Sequence, residues 1–379
     1  MLQSMHEDRN LLATQNSQIL NIQGQIGTLL QELFDLQEAR NTVHKRLQSY
    51  KYPVLSLPNE IVSEIFLHTI PDYPNRPPTV GNSSPFRLTH VCRKWREIAI
   101  ATRRLWRAIE LIEDDNVPVD EHGLLAAVWL ERSGSLPLSI HTGHAGDWET
   151  SFSVLLPHRA RWEYVNLYLD DSCNSLNKLS FPLLRSLRLS TDGEDRFNPF
   201  IAIRDAPLLR RVSLDHVDPH MLSLPWKQLT SLSVKYTCAY DWISILRKAS
   251  QLVHCEFSFW DSDFDEIDPV EEFLLPRLET LEIDSDSGSA EQFIPSLVAP
   301  ALRRLTLPED DLGDNPIESL RSLITRSNCK IEDLRISCAS KPEAVYCAEF
   351  PSIKRIITSK TRTGYLGQPE DPPSYFEDF

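Results

Sequence analysis

The sequence predicts an α/β protein that begins with a long helix, continues with a short helical segment and ends in a stack of parallel strands. Three observations lead to this prediction. Apolar residues repeat every seven positions within 1–51, the segment 52–112 is strongly apolar at helical spacing, and a strand-like motif recurs through 113–358. The remaining residues, 359–379, are rich in proline and acidic groups, and we expect them to form a disordered tail.

The composition is typical of a soluble globular protein, with 41% hydrophobic and 25% charged residues among 379. The apolar runs are far shorter than the roughly 20 residues that span a bilayer, so we expect no membrane segment. The seven cysteines include no C-x-x-C pair, which argues against a disulfide framework and a structural zinc site. A reducing compartment, the cytosol or the nucleus, is therefore the expected location.

Charge is unevenly distributed along the chain. The net charge is −15, yet residues 53–112 carry eight basic and only five acidic groups. The acidic surplus therefore lies in the large C-terminal part, which repels phosphate backbones and makes nucleic acid an improbable partner. No dinucleotide, P-loop, zinc-protease or nucleophile-elbow motif is present, so we expect no catalytic residues, no metal and no cofactor.

The first element is a helix with a coiled-coil-like seam. Two apolar registers, offset by three residues, occupy the a and d positions of a heptad. They consist of Leu12, Ile19, Ile26, Leu33 and Leu47, and of Ile22, Leu29, Leu36, Val43 and Tyr50. One interpretation is a homodimer formed through residues 12–50. The other is a single long helix that packs on its own protein or flanks the next domain.

The second element begins with a helix that is apolar on two faces. Pro58 suits the first turn of a helix. One apolar row, spaced by four, contains Leu57, Ile61 and Ile65, and a second contains Val62, Phe66 and Ile70. Because these rows exceed one narrow stripe, the helix needs a partner for its second face.

A proline-rich loop, 71–85, follows this helix, and a second apolar stretch at helical spacing follows the loop. That stretch contains Leu88, Val91, Cys92, Trp95, Ile98 and Ala99, and Leu105 and Trp106 close the segment.

Four short motifs follow one another in this segment, and together they resemble the F-box: L-P-x-E-I, I-F, V-C-R-x-W-R and L-W. The residues that carry the resemblance are Leu57, Pro58, Glu60, Ile61, Ile65, Phe66, Val91, Cys92, Arg93, Trp95, Arg96, Leu105 and Trp106. Over most of its length the chain resembles the large F-box families of mushroom-forming fungi. The loop 71–85 is longer than the usual link between the first two F-box helices.

The resemblance implies a three-helix module that docks on a Skp-type adaptor and, through it, on a cullin–RING ubiquitin ligase. Carried over by position, the implied adaptor contacts are Leu57, Pro58, Ile61, Ile65, Leu88, Val91, Cys92 and Trp95. Phe66 and Ile98 are expected in the core of the module. The alternative is that the apolar residues pack against the heptad helix or the following domain.

The third element repeats the pattern P-x-L-x-x-L-x-L at intervals of 20 to 29 residues, which is the leucine-rich-repeat signature. Its second apolar position is occupied by Leu187, Val212, Leu232, Cys255, Leu281, Leu305, Leu334 and Ile356, with Val165 one step earlier. Side chains two apart on a strand share a face, so the L-x-L pairs predict a core between stacked repeats. The varied intervals predict an irregular horseshoe of parallel strands, with segments such as DWISILRKAS and NPIESLRSLITRS as helices.

The outward-facing strand positions are the candidate contacts to a protein target on the concave face of the horseshoe. They include Arg188, Asp215, Lys235, Glu256, Glu282, Asp284, Arg304 and Arg335. The resulting hypothesis is a substrate-recognition subunit of an SCF-type E3 ubiquitin ligase, which is not itself an enzyme. The alternative is a non-catalytic leucine-rich-repeat scaffold, oligomerised by the N-terminal coiled coil.

Overall fold

The computed structural model describes residues 2–49, 53–111, 122–143, 148–169, 176–177, 179–191, 200–237, 239–259, 271–285, 290–291 and 293–361. The chain divides into two compact units, residues 1–62 and residues 63–379. The fold is mixed α/β, with a long N-terminal helix and a large parallel sheet, as the sequence predicts. The predicted tail lies outside the described residues from position 362 onward.

The first unit consists mainly of helix α1 (Leu2–Ser49), and its prediction as one continuous helix is confirmed. All the α1 side chains that the structure describes, from residue 5 to 49, are exposed. The nine described heptad residues expose between 45% and 69% of their surface, and Tyr50 lies outside the described residues. A short 3₁₀ turn, Pro53–Ser56, follows, and helix α2 (Asn59–Leu67) begins in this unit.

The second unit begins within α2 and continues through helices α3 (Pro85–Val91) and α4 (Arg93–Ala101). Ser84 caps α3, because its hydroxyl accepts a hydrogen bond from the amide of Phe86 at 3.3 Å. Apolar residues continue at helical spacing through Cys92 in the sequence, but in the structure the helix is interrupted at this residue. Cys92 is extended, with φ −158° and ψ 171°, and its sulfur accepts a hydrogen bond from the Trp95 amide.

Most of the second unit is built from short strands, β1 to β15. In chain order they are Ala108–Leu111, Leu138–Thr142, Trp162–Tyr168, Ser186–Ser190, Ile201–Ala202, Arg211–Asp215, Leu222–Ser223, Ser231–Thr237, His254–Phe259, Phe273–Leu274, Thr280–Ser285, Leu297–Val298, Arg304–Pro308, Asp333–Ser337 and Arg355–Thr358. Eleven of the described strands form one sheet in the order β1-β2-β3-β4-β6-β8-β9-β11-β13-β14-β15. All of its neighbouring strands are parallel.

The connections between the strands carry the remaining described α-helices. These are α5 (His122–Ser133), α6 (Trp148–Leu155), α7 (Ala239–Leu246), α8 (Phe293–Ser296), α9 (Pro316–Ser327) and α10 (Glu343–Glu349). The predicted helices in DWISILRKAS and NPIESLRSLITRS correspond to α7 and α9. Two small parallel pairs, β5 with β7 and β10 with β12, also lie in the connections. The described helices include none that is long and apolar enough to cross a membrane.

The core of the second unit follows the alternation of the strands. The alternation is clearest in β4 and β6: in β4, Leu187 and Leu189 are buried and Arg188 is half-buried. The repeat positions aligned from the sequence form one continuous row of register partners across the sheet: Val165, Leu187, Val212, Leu232, Cys255, Leu281, Leu305, Leu334 and Ile356. The predicted strand alignment is therefore confirmed. Full burial of a valine or leucine side chain in this row contributes about 1.5–3 kcal/mol.

An aromatic cluster closes the first edge of this core. The rings of Phe86 in α3, Trp106 and Trp129 in α5 pack edge to face, with centroids 5.2 to 6.1 Å apart. The guanidinium of Arg132 lies 4.3 Å from the centre of the Trp106 ring. Helix α3 is thereby joined to the first helix of the strand region.

Candidate functional site

The predicted adaptor contacts divide between the two units. In the first unit, Leu57 is half-buried and Pro58 is exposed. Ile61 exposes 49% of its surface. None of these three side chains is buried, so all three can contact another molecule.

The other five predicted contacts belong to the second unit. Ile65 exposes 42% of its surface and Val91, the last residue of α3, exposes 59%. Leu88, Cys92 and Trp95 are half-buried. These positions provide apolar groups that water still reaches, which is the property an apolar partner surface needs.

The interior of this helical region matches the expectation from the sequence. Phe66 and Ile98 are buried, as predicted. The ring of Phe66 packs edge to face on Trp95, with the centroids 4.9 Å apart. Trp95 therefore supports the core with one part of its ring system while the rest remains accessible.

The second candidate surface is the face of the sheet opposite the buried leucine row. All eight predicted target contacts lie on this face, and all are half-buried: Arg188, Asp215, Lys235, Glu256, Glu282, Asp284, Arg304 and Arg335. The parallel register arranges them in rows. Glu256 lies opposite Glu282 in the register of β9 and β11, and Asp215 lies opposite Lys235 in the register of β6 and β8. The sequence pattern thus identified the correct face of every one of these strands.

Charge changes sign along this face. In the order of the sheet, the fourth and fifth strands carry the basic residues Arg188 (β4) and Arg211 (β6), whereas the seventh and eighth carry the acidic residues Glu256 (β9), Glu282 and Asp284 (both β11). The Lys235 ammonium lies 3.4 Å from a Glu256 carboxylate oxygen, at the point where the two regions meet. A surface of alternating sign suits a folded or extended polypeptide better than a uniformly charged ligand.

Partial burial changes the protonation equilibria of cationic groups on this face. Burial lowers the pKa of His254, and the charge of Arg304 lowers it further, whereas Glu279 opposes both effects. His254 is therefore a neutral imidazole at neutral pH. Burial also lowers the pKa of Arg211, with Tyr164 acting in the opposite direction.

The sequence did not predict that the loop 71–84 packs along the first strands. Tyr73 donates a hydrogen bond to Glu163 on β3 at 2.9 Å, and its ring packs on Tyr164, with centroids 5.5 Å apart. Arg76 donates to the hydroxyl of Ser139 on β2 at 3.4 Å. Thr79 donates to the carbonyl of Glu110 on β1 at 2.5 Å. The available signal was the presence of tyrosine and arginine among prolines, residues that a purely solvated linker does not require.

Among the residues that the structure describes, no group of three His, Cys, Asp or Glu side chains is placed to hold a metal ion. A scan against protein-family models finds no family that matches this chain. A search of curated proteins likewise finds no match.

Proposed function

We propose that this chain is the substrate-recognition subunit of an SCF-type E3 ubiquitin ligase. The observation that carries the proposal is the exposure of Ile61, Ile65 and Val91 at positions that match the F-box pattern of the sequence. An exposed aliphatic residue is ordinary when it stands alone. Three exposed aliphatic residues at positions of the F-box motif support an interface with a Skp-type adaptor. Such an interface has an apolar centre and a polar rim.

In this proposal the two surfaces have separate tasks. The helical region holds the adaptor, and the polar face of the sheet, which we assign to a leucine-rich-repeat-like solenoid, holds a protein target. Ubiquitin transfer is then promoted by proximity, because tethering raises the effective concentration of the target's lysines near the conjugating enzyme. No residue of this chain takes part in bond chemistry.

Affinity purification of the full chain in the presence of a Skp-type adaptor tests this proposal. Wild-type protein is expected to capture the adaptor in stoichiometric amounts. The double variant Leu57→Ala with Pro58→Ala is expected to lose capture while keeping its circular dichroism spectrum. Capture that is unchanged in the double variant contradicts the contact assignment, and no capture by the wild type contradicts the function.

A second candidate function is a non-catalytic scaffold that homodimerises through α1. The exposed heptad residues of α1 favour it, because a continuous apolar seam on a helix is stabilised when a second helix covers it. Under this alternative the helices of the F-box-like segment only cap the sheet, through the aromatic packing of Phe86, Trp106 and Trp129, and do not bind an adaptor. Adaptor capture separates the two candidates, since only the receptor requires it.

A further inference from the structure

Three arginines from three separate elements line one recess on the polar face of the sheet. Arg76 enters from the loop 71–84, Arg188 from β4 and Arg211 from β6. The other polar side chains of its lining belong to Tyr164, Asn166, Ser186 and Ser213.

The strand register accounts for this convergence. Arg188 pairs with Asn166 on one side and with Ser213 on the other, and Arg211 pairs with Ser186. Neighbouring strands lie about 4.8 Å apart, so Arg188 and Arg211 occupy diagonal positions within reach of a common ligand. The small serines beside them leave the space that forms the recess.

Arg76 completes the recess from above the sheet. Its guanidinium is anchored by the hydrogen bond to Ser139 at 3.4 Å. Burial lowers the pKa of Arg76, the charge of Glu110 opposes this effect, and the charge of Arg188 makes a smaller contribution that lowers the pKa. Arg76 and Arg188 are thus close enough for their positive charges to repel each other.

The described residues that line the recess include no carboxylate. A phosphate group is attracted to such a cationic lining, because its negative oxygens accept charge-assisted hydrogen bonds from guanidinium groups. Guanidinium groups present their N–H donors in a rigid fork that matches the oxygens of phosphate. Hydroxyl groups from serine and tyrosine add donors that suit the same oxygens.

We propose that this recess binds a phosphate monoester. A dianion offsets more of the arginine charge than a carboxylate does, and its tetrahedral oxygens meet donors that arrive from three directions. A long polyanion is disfavoured, because the same face becomes acidic at Glu256, Glu282 and Asp284. The phosphate is carried either by a side chain of a bound polypeptide or by a small metabolite. This inference does not depend on the proposed adaptor function.

Calorimetric titration of the full chain with O-phosphoserine, at constant ionic strength, tests the proposal. Binding by the wild type is expected, and Arg188→Gln and Arg211→Gln are each expected to weaken it at least tenfold. Arg188→Lys, which keeps the charge but not the fork, is expected to give an intermediate loss. Arg277→Gln removes an exposed arginine outside the recess and serves as the matched control, with unchanged affinity.

Two further ligands identify the source of the phosphate. A glycine-flanked phosphoserine peptide that binds at least tenfold more tightly than O-phosphoserine indicates a polypeptide ligand, whereas equal affinities indicate a small molecule. The proposal is overturned if the wild type binds none of these ligands at millimolar concentration. It is also overturned if both glutamine variants, shown to be folded by circular dichroism, bind as the wild type does, or if acetate competes as well as inorganic phosphate.

Discussion

The Tyr73 hydroxyl donates a hydrogen bond to Oε2 of Glu163 at 2.9 Å, and this bond joins the proline-rich loop to the third strand of the sheet. Burial raises the pKa of Tyr73, and the Glu163 charge raises it further, so the phenol stays protonated and remains a donor. The Arg107 guanidinium lies 3.7 Å from the centre of the Tyr73 ring. Tyr73 is therefore the main anchor of the loop on the strands.

The anchor predicts a graded loss of stability. Tyr73→Phe removes only the hydrogen bond and is expected to cost about 1–2 kcal/mol of unfolding free energy. The cost stays small because Glu163 keeps its 2.9 Å contact with Arg185. Tyr73→Ala also removes the ring contacts to Arg107 and Tyr164 and is expected to cost about 3–4 kcal/mol. Urea unfolding at neutral pH measures both values.

Asn75→Ala provides the control for this series, because Asn75 is exposed in the same loop. Its hydrogen bond to Asp72 is donated by the backbone amide, which the substitution keeps. A change within about 0.5 kcal/mol is expected. Equal stability of Tyr73→Ala and Asn75→Ala would show that the loop is not held by Tyr73.

Asp311 gives the second prediction, which concerns pH. Its carboxylate is buried and accepts hydrogen bonds from the Ser285 hydroxyl at 2.6 Å and the Ala290 amide at 3.1 Å. Burial raises the pKa of Asp311 to about 6, the two hydrogen bonds lower it, and Asp310 and Asp284 raise it again. The folded state thus keeps a proton that the unfolded chain loses near pH 4.

Because the folded state binds more protons between pH 4 and 6, Asp311 makes the protein less stable as pH rises through this window. The loss amounts to about 3 kcal/mol and is complete above the folded pKa. In Asp311→Asn this dependence is absent. When the pH is raised from 4 to 7, the unfolding free energy of the variant is therefore expected to increase by about 3 kcal/mol relative to that of the wild type.

Chemical denaturation at several pH values measures this difference. Leu312→Ala is a control at the neighbouring buried position, because it removes no ionisable group and is expected to destabilise equally at every pH. A difference between Asp311→Asn and the wild type that stays constant from pH 4 to 7 would refute the raised pKa.

The exposed seam of α1 gives the third prediction. If α1 pairs with a second copy, Ile26→Lys with Leu33→Lys places charge in the seam and converts the dimer to a monomer. Leu20→Lys with Phe34→Lys changes two apolar residues outside the seam that are somewhat more exposed, and should leave the dimer intact. Light scattering after gel filtration separates the 43.5 kDa monomer from its dimer. A wild-type monomer at micromolar concentration would rule out pairing through α1.

The strands were predictable because their pattern is local and repeated. The L-x-L pair identifies the buried face of each strand, so Leu187, Leu281 and Leu334 identify their own row without tertiary information. The outward positions, such as Arg188 and Glu282, follow from the same alternation.

The loop contacts and the recess were not predictable in this way. Tyr73 meets Glu163 across 90 residues of sequence, and no periodic pattern relates the two positions. Arg76 joins Arg188 and Arg211 only after the strands have stacked. The break at Cys92 was also hidden, because the apolar spacing of Leu88 to Ala99 continues through a residue whose sulfur caps the next helix.

The central claim, that exposed apolar residues of the helical region bind a Skp-type adaptor, is tested most directly by the dissociation constant of the purified full chain for that adaptor. Calorimetry should show binding by the wild type and at least tenfold weaker binding by Ile61→Ala with Val91→Ala, because the two truncated side chains together contribute more than about 1.4 kcal/mol. Leu124→Ala, at a leucine in α5 that exposes 70% of its surface, should bind like the wild type. Equal dissociation constants for all three proteins, or no binding by the wild type, would contradict the claim.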